Sequence, residues 1–190
     1  MTTLAPTLYT RTFPRTASWL RDLTLIVSGS LFVAILAQVK IPLPFTPIPL
    51  TGQTFAVLLI AAALGSKRGA ATMAFYVALG ALGLPVFAGG ASGMAYLSGA
   101  TLGYLIGFVL AAYVVGLLAE RGLERSVRTS LIPFLVGTLI IYACGVTWLA
   151  IVLGSFSKAI TLGLAPFIVG DIIKLIAATL ALPAAWKLAK

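Results

Sequence analysis

Leu131-Ile132-Pro133-Phe134-Leu135-Val136-Gly137-Thr138-Leu139-Ile140-Ile141-Tyr142-Ala143-Cys144-Gly145-Val146-Thr147-Trp148-Leu149-Ala150-Ile151-Val152-Leu153 runs for 23 residues without a charge. A helix needs about 20 such residues to cross the hydrocarbon core of a bilayer. Outward from this stretch, further apolar runs fall at 23–39, 50–66, 69–84, 99–118 and 164–186, and the segments between them hold nearly all charges, prolines and glycine clusters. The pattern predicts an all-α integral membrane protein with six transmembrane helices. It divides into a polar N-terminal stretch, 1–21, and a single six-helix membrane domain, 22–190. Composition agrees, with 61% of residues hydrophobic and 9% charged, where a soluble domain carries about a quarter charged. The first run reads as a retained helix rather than a signal peptide, because Ala34-Ile35-Leu36-Ala37 is no A-x-A cleavage site and a polar stretch precedes it.

The cations sort the connections. Arg11, Arg15, Arg21, Lys67, Arg68, Arg121, Arg125, Arg128, Lys187 and Lys190 fall on one side of the predicted helices, and only Lys40 and Lys158 on the other. The positive-inside rule then puts both termini in the cytoplasm, with lipid around the bundle. It also accounts for the net charge of +9 without nucleic acid, since no basic cluster is interleaved with aromatics. The chain has no His and one Cys, Cys144, which excludes a disulfide framework, a Cys/His metal site and a His-based triad. No phosphate loop and no nucleophile paired with a base are present. The expectation is a non-enzyme with no catalytic residue, no metal and no cofactor.

Two uncharged irregular segments, 40–53 and 85–98, fall on the outer side. Pro42, Pro44, Pro47 and Pro49 interrupt the first, and Gly89, Gly90 and Gly93 the second. Apolar non-helical backbone at membrane depth needs protein or a water-lined cavity around it, so these outer loops, the first and third, are expected to cap a ligand pocket.

Asp171 and Lys174 are the charged residues well inside an apolar run, and at i and i+3 they share a helix face. One reading is an ion pair that neutralises itself. The other is a polar site offering one acceptor and one cationic donor, which better explains why leucines do not stand there. Thr51, Gln53 and Tyr104 near outer helix ends are candidates for further polar contacts. Gly99, Gly103 and Gly107, and likewise Ala177, Ala181 and Ala185, recur every four residues and are expected mainly to pack within the bundle. The same spacing at Ser30 and Ala34 lies on a terminal helix with fewer neighbours, so that face is the candidate partner-docking surface.

Thr46-Pro47-Ile48-Pro49-Leu50-Thr51-Gly52-Gln53, Gly83-Leu84-Pro85-Val86-Phe87 with Gly89-Gly90 and Gly93, Gly99-Ala100-Thr101-Leu102-Gly103-Tyr104-Leu105 and Gly170-Asp171-Ile172-Ile173-Lys174 follow in an order that resembles the BioY family, the biotin-specific S-components of energy-coupling-factor (ECF) transporters. Ala100 stands where the family pattern tends to have proline. The resemblance implies a six-helix S-component with an outward-facing biotin pocket under the first and third loops, reached by Asp171 and Lys174. It also implies a transmembrane coupling subunit and two ATPase subunits as partners. Biotin's ureido N–H groups suit Asp171, its carbonyl suits Lys174, and its apolar atoms suit Phe87, Met94, Tyr96 and Tyr104. Gly93 and Thr101 of the matching motifs complete the expected ligand set. For the ligand's carboxylate, Lys40 and the glycine-loop N–H groups are both candidates. An S-component for another vitamin and a stand-alone ion-coupled carrier stay open as alternatives.

Overall fold

The computed structural model describes residues 3–188, so Lys190 lies outside the described residues. Helix α1 (Leu4–Thr12) is followed by α2 (Ser18–Gln38), strands β1 (Lys40–Ile41) and β2 (Leu50–Thr51), α3 (Gln53–Leu64), α4 (Ser66–Ala81), α5 (Met94–Leu97), α6 (Leu102–Glu120), α7 (Val127–Leu153), α8 (Phe156–Gly163) and α9 (Ile168–Leu188). Among the described residues, four stretches are long and apolar enough to cross a membrane: α2, α6, α7 and the combined span Phe156–Lys187 of α8 and α9. Helix α3, at 12 residues, is shorter than the predicted run 50–66, while α4, at 16 residues, matches the length of the run 69–84 but starts earlier, at Ser66. Gly65, at φ +86, separates them sharply, and the proline-rich segment upstream turns at 44–45 and bends at 47–48, so the chain doubles back before Thr51. There a two-residue ribbon pairs Lys40 with Thr51 and Ile41 with Leu50.

Helix α6 is the centre of the bundle and packs on α3, α4 and α7. Small residues make this possible: a Cβ on Gly103 or Gly107 would run into α7 at Trp148, Cys144 or Ile141, and one on Gly116 would overlap the backbone of Gly65 and Ser66. The expected packing role therefore holds for Gly103 and Gly107. It does not hold for Ala177 and Ala181, which are exposed; α9 turns Ala178 and Leu182 inward instead.

The expected docking face on the first apolar run is corrected by its burial. Ser30 is 1% and Ala34 9% exposed, and the Ser30 hydroxyl donates to the Ile26 and Thr72 carbonyls at 2.8 and 2.9 Å. Gly29, whose absent Cβ would touch Thr72, lets α4 come this close, so the small residues serve α2–α4 packing. The uncovered side of α2 carries Leu23, Leu31 and Ile35.

The N-terminal boundary also moves. Helix α2 begins at Ser18, because Arg21 and Asp22 are satisfied at the helix start: the Nε groups of Arg21 and Arg68 donate to Asp22 Oδ1 at 3.0 and 2.8 Å. The stretch before it is in part helical, since α1 buries Leu4 and Pro6 and lies against α2 and α3. At the same end, Ser66 N and Oγ donate to Glu120 and Trp186 Nε1 donates to Glu124. At the other end, Thr46 Oγ1 donates to the Leu162 carbonyl at 2.6 Å and Trp148 Nε1 to the Gly99 carbonyl at 2.9 Å. Both proline- and glycine-rich loops gather there.

Candidate functional site

Helix α9 starts after Pro166, which sits in a 3-10 turn over Ala165–Phe167. Asp171 thereby falls in the first turn, where the helix dipole favours a carboxylate. Lys174 Nζ lies 2.8 Å from Asp171 Oδ1 and also donates to Thr54 Oγ1 at 2.9 Å. The Thr54 hydroxyl donates in turn to Asp171 Oδ1 at 3.3 Å, and the Tyr142 hydroxyl makes a short hydrogen bond to Oδ2. Three helices, α3, α7 and α9, thus converge on one carboxylate. The pair is part of a network between helices, its remaining lone pairs satisfied by hydroxyls from α3 and α7, as a buried charge requires.

Around this polar centre the walls are apolar, with Ile48, Leu105, Phe108, Ile141 and Phe167 facing a cavity of about 60 Å³. Of the residues expected at the site, Thr51, Gln53, Tyr96, Thr101 and Tyr104 line this cavity together with Asp171 and Lys174. Gln53 joins the wall to the glycine-rich loop: its amide donates to Tyr76 OH at 2.6 Å, and that hydroxyl donates to the Val86 carbonyl at 3.0 Å. Thr51 Oγ1 donates to Gln53 Oε1 at 3.1 Å. Tyr104 presents its ring to the cavity, but its hydroxyl is committed to the Gly163 carbonyl at 2.6 Å.

Phe87 and Gly93 are not brought to the cavity. Phe87 is completely buried behind it, edge-on to Tyr76 at 5.6 Å and stacked on Tyr96 at 4.9 Å, in space that exists because Gly80 has no side chain. It therefore props Tyr96 rather than facing the cavity. Gly93, at φ +86, donates its N–H to the Gly80 carbonyl at 2.7 Å. Met94 is 68% exposed. The N–H groups of Gly89 and Gly90 donate to the Ala37 and Phe87 carbonyls, so the glycine loop presents no free N–H cradle for an anion at these positions. Lys40 lies over Gly89, outside the cavity lining.

Thr54 and Tyr142 are the site residues that the sequence reading passed over. A signal for Tyr142 existed: a phenol at the middle of a span needs a buried partner, and Asp171 is an acceptor within the apolar runs. Thr54 had no comparable signal, since a threonine at a helix start is ordinary.

The sequence matches the model of the BioY family over residues 7–190. It is 44% identical over 156 residues to the biotin transporter BioY of Thermotoga maritima, covering 82% of this chain and 91% of that protein. With the biotin transporter BioY of Rhizobium etli it shares 38% identity over 172 residues, covering 84% and 90%. The crystal structure of an S-component for biotin from an ECF-type ABC transporter superposes with a TM-score of 0.77 at 26% identity, over 90% of this chain and 95% of that one.

Proposed function

The chain belongs to the BioY family, and from that premise we propose that it is the substrate-binding S-component of an ECF-type uptake system with biotin as its ligand. It is a multi-pass membrane protein by its apolar helices and its relatives. The observation that carries the reading is the Asp171 carboxylate, held by Lys174, Thr54 and Tyr142 on an otherwise apolar cavity. Few convergent polar groups on apolar walls is the usual form of a small-molecule site. Asp171 suits the ureido N–H groups as acceptor and Lys174 the ureido carbonyl as donor. Tyr96, Tyr104 and Phe108 suit the fused rings and the alkyl chain.

The cavity of about 60 Å³ is far below the ~300 Å³ or more of ordinary ligand pockets, so admission of biotin requires the first or third loop to move. The Thr46–Leu162 hydrogen bond holds the first loop down, and the Phe87–Tyr96 stack lies within the third. We further propose that α3 and α4, with the loops above them, complete six passes through the cytoplasmic membrane of a bacterium with both termini inside, as the distribution of cations supports. In this reading the partners are the transmembrane coupling subunit and two ATPase subunits, which supply the energy that a chain without a nucleotide-binding motif cannot. Isothermal titration of the purified detergent-solubilised chain tests the ligand assignment: biotin is expected to bind tightly, and thiamine and riboflavin not to compete. Folded protein that ignores biotin, or prefers another vitamin, overturns it.

A further inference from the structure

A second cavity lies at the end of the bundle opposite Asp171. Where α1 folds back against α2 and α3, it leaves a polar cleft of about 480 Å³, several times the space beside Asp171. Three guanidiniums line it: Arg11 near the end of α1, and Arg21 and Arg68 on the first turns of α2 and α4. Arg21 and Arg68 direct their Nε groups to the same oxygen of Asp22. A guanidinium has five donors, so the two terminal NH₂ groups of each are left for another acceptor. Among the described residues neither is joined by an ion pair to Glu120, the carboxylate on the wall, whose Oε1 takes the Ser66 N–H and hydroxyl at 2.7 and 2.8 Å. On the α1 side, the Thr7 and Thr10 hydroxyls donate to the Thr3 and Pro6 carbonyls, so toward the cleft their oxygens are acceptors.

Guanidinium donors from both walls, Arg11 on α1 and Arg21 and Arg68 facing it, with hydroxyl acceptors beside Arg11 on α1, match a phosphate ester next to free hydroxyls. Arginine is suited to phosphoryl oxygens through paired N–H groups, and threonine oxygens accept from alcohols. The cleft also lies where the span α2 ends, at the depth of lipid headgroups, and basic pockets between helices at that level bind anionic heads. We propose that this cleft binds a phosphorylated glycerol group, Arg11, Arg21 and Arg68 taking the phosphoryl oxygens and the α1 threonines taking the glycerol hydroxyls. The chemistry is shared by the headgroup of phosphatidylglycerol and by soluble glycerol phosphate. The proposal is independent of the biotin site.

Native mass spectrometry of the detergent-purified chain tests it with dioleoylphosphatidylglycerol, dioleoylphosphatidylcholine and glycerol 3-phosphate as probes. The expected result is one phosphatidylglycerol retained in preference to phosphatidylcholine, and a loss of about five-fold in that affinity in Arg11→Gln, as one Arg–headgroup contact supplies. Arg11→Gln leaves the Arg21–Asp22–Arg68 clamp intact, so it is the variant of choice; Arg128→Gln, outside the cleft lining, is expected to change nothing. Biotin affinity serves as the measure of folding in both. Displacement of the lipid by millimolar glycerol 3-phosphate, sensitive to Arg11→Gln, supports the same site with a soluble occupant. Equal retention of the two lipids, or equal losses in Arg11→Gln and Arg128→Gln, overturns the proposal and reduces the arginines to a clamp between helices.

Discussion

Asp171 accepts from Lys174, Thr54 and Tyr142, and each partner can be removed singly. Asp171→Asn strands the ammonium and Lys174→Met strands the carboxylate. Truncating one member of a desolvated charge pair costs about 2–5 kcal/mol, so biotin affinity is expected to fall about 30-fold or more in either. A hydrogen bond to a charged group contributes about 1.5–3 kcal/mol, which puts Tyr142→Phe at a loss of roughly tenfold or more. Calorimetric titration of the folded variants decides, and undiminished affinity in the first two makes the pair purely structural. Glu124 is the residue to watch for pH. It lies in the 3-10 turn Leu123–Arg125, fully buried, with Oε1 taking Trp186 Nε1 at 3.2 Å and Oε2 lacking any hydrogen-bond partner among the described residues. Burial pushes this carboxyl above its ordinary value of 4.5, outweighing its hydrogen bonds and the charge of Arg125. The native state therefore keeps a proton that the unfolded chain releases. That contribution to stability is complete below about pH 4.5 and is lost as pH rises through the raised native value. Thermal unfolding between pH 5 and 8 should show the Tm falling in the parent and falling less in Glu124→Gln; parallel curves would place the pH dependence in another group.

Among the elements, α2 is where burial decides between two uses of one motif. Ala34 belongs to the buried core and Ser30 bonds across to α4, so Ala34→Trp must force α2 away from its neighbours. Overpacking of this kind costs about 1–3 kcal/mol or more, and a chain of this size loses roughly 2–4 °C of Tm per kcal/mol. The expected outcome is a lower Tm, by several degrees, accompanied by weakened biotin binding. A variant of normal stability and normal affinity that fails only to associate with the coupling subunit would restore Ala34 as a docking position. Substitutions at Leu31 or Ile35, on the uncovered side, are expected to leave the Tm unchanged.

For the whole molecule, the consequential quantity is orientation. With Cys144 replaced by Ala, a cysteine introduced at exposed Ser157 should react with a membrane-impermeant maleimide on intact cells, and one at exposed Lys67 only after lysis. Labelling of position 67 from outside would invert the topology and move both clefts to the opposite faces. The arrangement of charge was already in the sequence, because a bilayer excludes unpaired ions from its core: Asp171 and Lys174, at i and i+3 within an apolar run, had to be paired or hydrated, and the loop arginines gathered at one end. The apolar runs likewise declared a helical membrane protein, since in lipid the backbone must satisfy its own hydrogen bonds. Periodicity fixes which residues lie on a helix but not which neighbour a face will meet. For that reason the burial of Ser30 and Ala34, the outward turn of Ala177 and Ala181, the withdrawal of Phe87 behind Tyr96, and the arrival of Thr54 and Tyr142 at Asp171 were decided only by tertiary packing. The arginine cleft under α1 had the same origin: Arg68 lies far along the chain from Arg11 and Arg21, and the folding back of one short helix brings all three to a common surface.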